Sequence, residues 1–476
     1  MKKLWPFLGL LFFGVLILPL QGQFQYQVNP FTGKPLPGPY NPFTGTGMPP
    51  GKQDPSPNPL TGKMAQPSAL YNPLTGSFKS GMQPPGPMMS QTPSDFPITG
   101  KAGRKLEELD ELVKSIMDRH GIPGGALAIA KDGKLVYAKG FGWADLAAAI
   151  KVDPQTIFSL ASLSKPITAL AILLLIEQGK LSLDDLPFDI VKIPAPPGAR
   201  VDPRLRQITV RQMLNHTGGW DRNVKGDPIN WSPQISRALG VPQPVTEEQF
   251  ISFMRAIPLD FAPGTKMQYS NVGYIVLGQV VEKVSGQSYE QFIAENIFKP
   301  AGIRHAFLNR GQIQYRSGEA KSYMPGTGAL MPPMNLPMLK AAGGWRVSAV
   351  DMVRFLTALD GSRGKPLLKE ETFQQMLALP PPPLKPKANG SYNGLGWPAV
   401  MVSGKSFSYA HEGQFPGART FMKRNLKGLN WALLFNVSMD LDQVDVSAVS
   451  QVVRDIHQQL EGLKEVPDVD YFKDYQ

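Results

Sequence analysis

The stretch Ala161-Ser-Leu-Ser-Lys165 sets two serines within three positions of a lysine, directly ahead of an apolar run that ends at Gly179. A serine hydroxyl attacks a carbonyl only when a base takes its proton, and lysine can serve where burial lowers its pKa from about 10.4. Two readings are open on these residues alone: a helix cap beside a solvated lysine, or a nucleophile beside its base. Pro166 belongs in a first turn, so a buried helix is predicted to begin between Ser162 and Ser164 and to be capped by Gly179. Residues three apart share a helix face, which pairs Ser162 with Lys165 and turns Ser164 elsewhere. Ser162 also falls where free backbone N–H groups and the helix dipole favour developing negative charge.

Two further stretches carry groups that fit the same chemistry. Phe261-Ala-Pro-Gly-Thr-Lys-Met-Gln-Tyr-Ser-Asn271 leads into an apolar helix expected near Gly273, which puts Tyr269 and Asn271 in the loop before it. A phenol shuttles protons when a nearby cation stabilises its phenolate. Tyr409-Ala-His-Glu-Gly413 places His411 in a strand beside Gly413, a residue that lets another chain segment approach closely. His216, in Asn-His-Thr-Gly-Gly, reads as a residue that holds a loop by hydrogen bonds. His120, His305 and His457 lack ligand spacing, and Asp440, Asp442 and Asp445 lack the glycine and closing glutamate of a calcium loop, so neither metal nor cofactor is expected.

The elements that must position these residues follow from periodicity. Leu106, Leu109, Leu112, Val113 and Ile116 recur at helical spacing and predict a helix over 104–120. Asp132-Gly133 between two apolar runs is a strong hairpin signal. A second strand pair is expected over 418–423 and 430–436, around Lys427-Gly428, followed by a final helix marked by Val446, Val449, Val452, Val453, Ile456 and Leu460. Between these lies a mostly helical middle, roughly 153–379. The fold class is α+β: an antiparallel sheet built from both chain ends, flanked by helices and holding a large helical insertion.

The ordered set Phe158-Ser-Leu-Ala-Ser-Leu-Ser-Lys165, Ile208-Thr-Val-Arg-Gln-Met-Leu-Asn-His-Thr-Gly-Gly219, Pro263-Gly-Thr-Lys-Met-Gln-Tyr-Ser-Asn271, Ala342-Gly-Gly-Trp345 and His411-Glu-Gly413 resembles the serine β-lactamase-related family. That family comprises class C β-lactamases, DD-peptidases, D-amino-acid peptidases and related esterases; the likeness runs from about Arg104 to Leu463. It implies a β-lactamase/transpeptidase-like fold and an acyl-enzyme on Ser162, with Lys165 and Tyr269 sharing the proton transfers. It further implies an oxyanion hole from the backbone N–H groups of Ser162 and Gln414 beside Gly413, an Asn271 that orients substrate or Lys165, and a His411 that faces the cleft from the edge strand. Many penicillin-recognising relatives have Lys-Thr-Gly where this chain has His411-Glu412-Gly413. Losing the fixed positive charge disfavours an anionic β-lactam or a terminal D-Ala carboxylate and points to ester, amide or D-amino-acid peptide substrates. A β-lactamase or DD-carboxypeptidase-like penicillin-binding protein is the alternative, and a non-catalytic cell-wall binding protein of the same fold a second.

Composition bounds the rest. The chain has 476 residues and no cysteine, which excludes thiol catalysis, disulfides and thiolate metal sites. Its charge of +11 comes from scattered lysines and arginines, so nucleic acid is not expected as a partner; the expected partners are a small-molecule or peptide substrate and cell-wall material. Lys2 and Lys3 before the apolar run 4–20 resemble a secretory signal ending near Gly22; retained, the same run would serve as an anchor and make the membrane a partner. The expected divisions are a signal peptide over 1–22, a Pro/Gly-rich disordered linker over 23–103, the hydrolase domain over 104–463 and a tail over 464–476, in a protein that is exported, periplasmic or secreted. The linker repeats Asn-Pro-[Phe/Leu]-Thr-Gly at 29, 41, 58 and 72, with a degraded copy at Pro97-Ile-Thr-Gly100, and reads as a turn-bearing spacer or as a docking element.

Overall fold

The structure, a computed structural model, describes residues 96–309, 311, 314–325, 327–331, 333, 335–437, 454–456, 458–462 and 466–476, together with Tyr71–Asn72 and Ser77–Phe78. The signal-like segment, the first three repeat copies, the Asp440, Asp442 and Asp445 cluster and the start of the final helix lie outside the described residues. Tyr71–Asn72 and Ser77–Phe78 pair antiparallel, the first of these strands ending on Asn72, where the fourth repeat copy begins.

Strand β1 (Ile98–Ala102) is followed by helix α1 (Glu108–His120) and the hairpin β2 (Gly124–Lys131) and β3 (Lys134–Asp145). Asp132 and Gly133 both take positive φ, 49° and 73°, the twist-matched two-residue turn that an Asp-Gly pair favours. The middle then supplies β4 (Ile157–Ser159), α2 (Ser164–Glu177), α3 (Val210–Leu214), α4 (Arg222–Lys225) and α5 (Asn271–Ser285). It continues through β5 (Ala306–Leu308), β6 (Trp345–Ser348) and α6 (Ala349–Leu359). The chain returns to the sheet with β7 (Ala399–Ser403), β8 (Ser406–Phe415), β9 (Ala418–Arg424) and β10 (Leu429–Phe435). Among the described residues the main sheet is antiparallel in the order β7-β8-β9-β10-β2-β3-β1, with the short strand Ile150–Lys151 added to β3.

Strand alternation gives the sheet two buried faces. On β2, Ala126, Ala128 and Ala130 turn to the helical region and pack in one core with α2, α5 and α6. Leu127 and Ile129 turn to the other face, where Leu109, Val113, Ile116 and Met117 of α1 meet Ile456 and Leu460 from the far end of the chain. The sheet from both chain ends, the flanking helices and the helical insertion are as expected.

Several boundaries differ. The degraded repeat copy, placed by its composition in the linker, forms strand β1 and pairs with β3 from Ile98↔Phe141 to Ala102↔Tyr137. Pairing to a strand some forty residues on leaves no local trace in a Pro/Gly-rich segment. Helix α1 starts four residues later than its periodicity indicated. The segment 466–476, expected as a tail, packs: Phe472 is 3% exposed. Strand β8 is not the edge strand, because β7 covers it.

Candidate active site

Strand β4 pairs with β6, and the Leu160 N–H donates to Trp345 O at 2.9 Å. The chain then turns sharply at Ala161, whose φ of 47° is a left-handed conformation that costs a non-glycine residue of order 1 kcal/mol or more. The next turn is a single 3₁₀ turn, Ala161–Leu163, that leads into α2. Ser162 stands at its centre, partly exposed, while almost all of α2 behind it is buried.

Lys165 is fully buried one turn on, with Nζ 3.0 Å from Ser162 Oγ and donating to Ala342 O at 2.7 Å. Burial pushes its pKa down to about 7; the carboxylate of Asp227 opposes this and the guanidinium of Arg222 adds to it. Ser164 does point elsewhere, accepting the Trp345 N–H at 3.1 Å and so tying α2 to β6.

Tyr269 also stands at Ser162, close enough for the serine hydroxyl to act on its phenol. Burial raises the phenol above its ordinary pKa, against the pull of Ser162 and Arg222. Lys165 Nζ and Arg222 Cζ each lie 4.9 Å from the Tyr269 ring centroid. The loop carrying Tyr269 is held by His216: its carbonyl accepts the Gln268 N–H at 2.9 Å, and its Nδ1 accepts the Ser270 N–H at 3.2 Å. Nδ1 is therefore unprotonated, and burial, with Lys165 and His411 nearby, keeps this ring neutral, its pKa well below the usual value. Its ring also lies against Tyr269, with centroids 4.4 Å apart. His216 thus holds the loop, as its sequence context indicated.

Asn271 is not in that loop. It opens α5, capped by the Ser270 hydroxyl, and its Nδ2 donates to Asp227 Oδ2 at 2.7 Å.

His411, on β8, is 2% exposed, so it lies beneath the cleft rather than on its rim. Its Nδ1 lies 2.7 Å from Glu412 O, a pairing in which Nδ1–H donates and Nε2 carries a lone pair that has no hydrogen-bond partner among the described residues. Burial, helped by Lys165, takes its pKa down to about 3. Glu412 turns outward by strand alternation and pairs with Arg419 at 2.7 Å. Gly413 is required by contact: a Cβ there would sit 2.3 Å from Leu160 O, 2.2 Å from Thr420 Oγ1 and 3.1 Å from Ser162 N. This lets β8 run against the serine turn and brings Gln414 beside Ser162. An open recess adjoins the serine turn, lined by Gly343, Leu336, Leu339, Phe415 and Pro416 with Ser159, Asn309 and Ser322.

Over residues 109–448 the sequence matches the protein family described as Beta-lactamase. The chain belongs to the beta-lactamase family. It is similar to a Bacillus subtilis (strain 168) protein provisionally named as the penicillin-binding protein PbpX, with 28% identity over 73% of this chain and 80% of that one. The octameric penicillin-binding protein homologue from Pyrococcus abyssi superposes with a TM-score of 0.58 at 27% identity, over 71% of this chain and 74% of that one. A D-amino acid amidase from Ochrobactrum anthropi SV3 shares the fold with a TM-score of 0.59 at 23% identity, over 74% and 99% of the two chains.

This beta-lactamase-family chain brings Ser162, Lys165, Tyr269, His411, Gly413 and Gln414 to one place, with Asn271 joined to it through Asp227. Sequence reasoning missed Asp227, Arg222 and the carbonyl of Ala342. Gly226-Asp-Pro228 reads only as a turn, and Asp227 does cap the next turn, accepting the Ile229 N–H at 3.3 Å. Ala342 opens the Ala342-Gly-Gly-Trp345 motif, but a backbone acceptor has no sequence signal.

Proposed function

We propose that this chain is a serine hydrolase that works through an acyl-enzyme on Ser162, on ester, amide or D-amino-acid peptide substrates. The observation that carries the reading is a fully buried Lys165 with Nζ 3.0 Å from Ser162 Oγ and a pKa near neutrality. An amine of which about half is neutral at pH 7 accepts the serine proton as Oγ attacks the substrate carbonyl. The oxyanion forms against the backbone N–H groups of Ser162 and Gln414. Tyr269, beside the same hydroxyl, passes a proton to the leaving group and regains one from Lys165, which leaves the amine neutral to take a proton from the water that releases the acyl group. The neutral ring of His411, buried beneath the cleft, sets no positive charge behind the third motif, which withholds one attraction for an anionic substrate. The basic, apolar start of the chain supports an exported setting, periplasmic or secreted.

The test is covalent labelling of the full chain. A fluorophosphonate is expected to label the protein on Ser162, and Ser162→Ala to abolish both labelling and hydrolysis of a short-chain nitrophenyl ester. Labelling that persists in the variant would move the nucleophile to Ser164 or elsewhere. Chromogenic cephalosporin turnover faster than ester turnover would replace the substrate assignment with a β-lactamase, and failure of every acyl donor to label Ser162 would leave a binding protein.

A further inference from the structure

Among the groups of the site, burial sorts what a substrate can touch. Lys165, His216 and His411 are buried, whereas Ser162, Tyr269, Gln414, Phe415 and Pro416 are partly exposed and Arg222 is exposed. Arg222 is thus the site's solvent-facing cation, 4.9 Å from the ring of the phenol beside Ser162.

The carboxylates around it are committed elsewhere. Asp221 pairs with Lys266 at 3.0 Å and Asp260 with Lys225 at 2.7 Å. Asp227 accepts from Asn271 at 2.7 Å and caps the Ile229 N–H. Arg222 reaches Asp227 only through its field and makes no salt bridge with a described residue. Nor does its own helix account for it: Arg222 is the first residue of α4, the end where the dipole disfavours a cation. A guanidinium resting on an aromatic ring keeps N–H groups at its edge for a planar anion, and Arg binds carboxylates through such paired N–H groups.

We propose that Arg222 and the ring of Tyr269 form an anion subsite on the leaving-group side of the cleft, which takes a carboxylate carried by the departing alcohol or amine. The side follows from proton transfer: the leaving atom must lie at the Tyr269 hydroxyl to receive its proton, so what is attached to it projects past that ring toward Arg222. The acyl substituent is left for the recess at Phe415 and Gly343. The charge withheld at His411 is in this way supplied from the opposite wall, by a residue 189 positions earlier in the chain. The inference rests on the acyl-enzyme reading and narrows its substrates to esters or amides of hydroxy or amino acids.

The experiment compares two acetate esters, of 3-hydroxybenzoate and of its neutral isostere 3-hydroxybenzamide, on the full chain. Wild type is expected to favour the anionic ester by about tenfold in kcat/KM, mainly through KM, with the preference shrinking in 0.5 M salt. Arg222→Gln should bring the ratio near one, Arg222→Glu below one, and Arg222→Lys should retain part of it. A role confined to the acidity of Tyr269 would shift the pH profile of both esters alike; an unchanged ratio in Arg222→Gln therefore overturns the subsite. Hydrolysis of neither ester by wild type would instead overturn the acyl-enzyme reading. Calorimetric binding of 3-hydroxybenzoate then decides the subsite by itself, equal affinity in wild type and Arg222→Gln overturning it.

Discussion

At the scale of single residues, the lysine and the tyrosine around Ser162 make opposite predictions about pH. Burial and Arg222 act against the charge of Lys165, Asp227 supports it, and its pKa lies at about 7. Tyr269 is raised above the ordinary phenol range. If Lys165 takes the serine proton, kcat/KM for a neutral ester rises about tenfold per pH unit up to about 7 and then levels; a phenolate base would put that limb far higher. Asp227→Asn removes the carboxylate that supports the charge and should move the limb to lower pH, which a pH–rate profile of both proteins checks. The same shift sets a stability cost. The unfolded chain protonates this lysine below about 10.4, the folded chain only below about 7. Between those values the unfolded state holds more protons, so stability rises with pH through that window, and the cost is fully present below it. Lys165→Met should therefore abolish activity yet stabilise the fold at pH 7, on the order of 2 kcal/mol by urea unfolding, with a smaller gain at pH 10.

At the scale of elements, the site depends on how closely β8 approaches the turn before α2. The Thr420 hydroxyl donates to Leu160 O at 2.8 Å, so β9 fixes the same turn from beneath. Gly413→Ala places a methyl carbon inside contact distance of Leu160 O and must push β8 outward, carrying Gln414 away from Ser162. The expected result is a loss of about 1–3 kcal/mol in stability and about 10²-fold in acylation rate, with slow but detectable labelling of Ser162 by fluorophosphonate. This register explains why the sequence disclosed some parts of the site and concealed others. Ser162 and Lys165 are three residues apart, and helix geometry alone pairs them. The hairpin at Asp132-Gly133 was equally local. Strand β1 was hidden because its partner is β3 and its composition matches the linker. Arg222 and Asp227 were hidden because they come from short turns whose spacing from Ser162 follows no period; only the folded helical insertion sets them beside Tyr269.

At the scale of the whole molecule, the last residues of the chain fasten its first strand and its hairpin to the helical layer. Tyr471 Oη donates to Ala102 O at 3.1 Å and Lys101 pairs with Asp474 at 3.1 Å, which anchors β1. Asp470 accepts the Leu135 N–H at 3.1 Å and Arg363 Nη1 at 2.9 Å, while that same nitrogen donates to Gly133 O at 2.7 Å. Two guanidinium groups approach the Phe472 ring, Arg354 at 5.2 Å and Arg363 at 4.4 Å from its centroid. Arg354 is buried, paired with Asp351 at 2.5 Å, and also donates to the carbonyls of Phe472 and Tyr475. Phe472→Ala would remove the ring that both arginines cover and loosen the backbone that satisfies Arg354, leaving a cavity beside a buried charge. The expected cost is about 3 kcal/mol, seen as a melting temperature lower by roughly 5 °C or more. None of the contacts of Phe472 involves Ser162, Lys165, Tyr269 or Arg222, so ester turnover per folded molecule at 25 °C should stay within about twofold of wild type. A melting temperature that does not move would show that this segment lies on the domain without holding it. A parallel fall in turnover would mean that the clasp supports the site through α6 and β6.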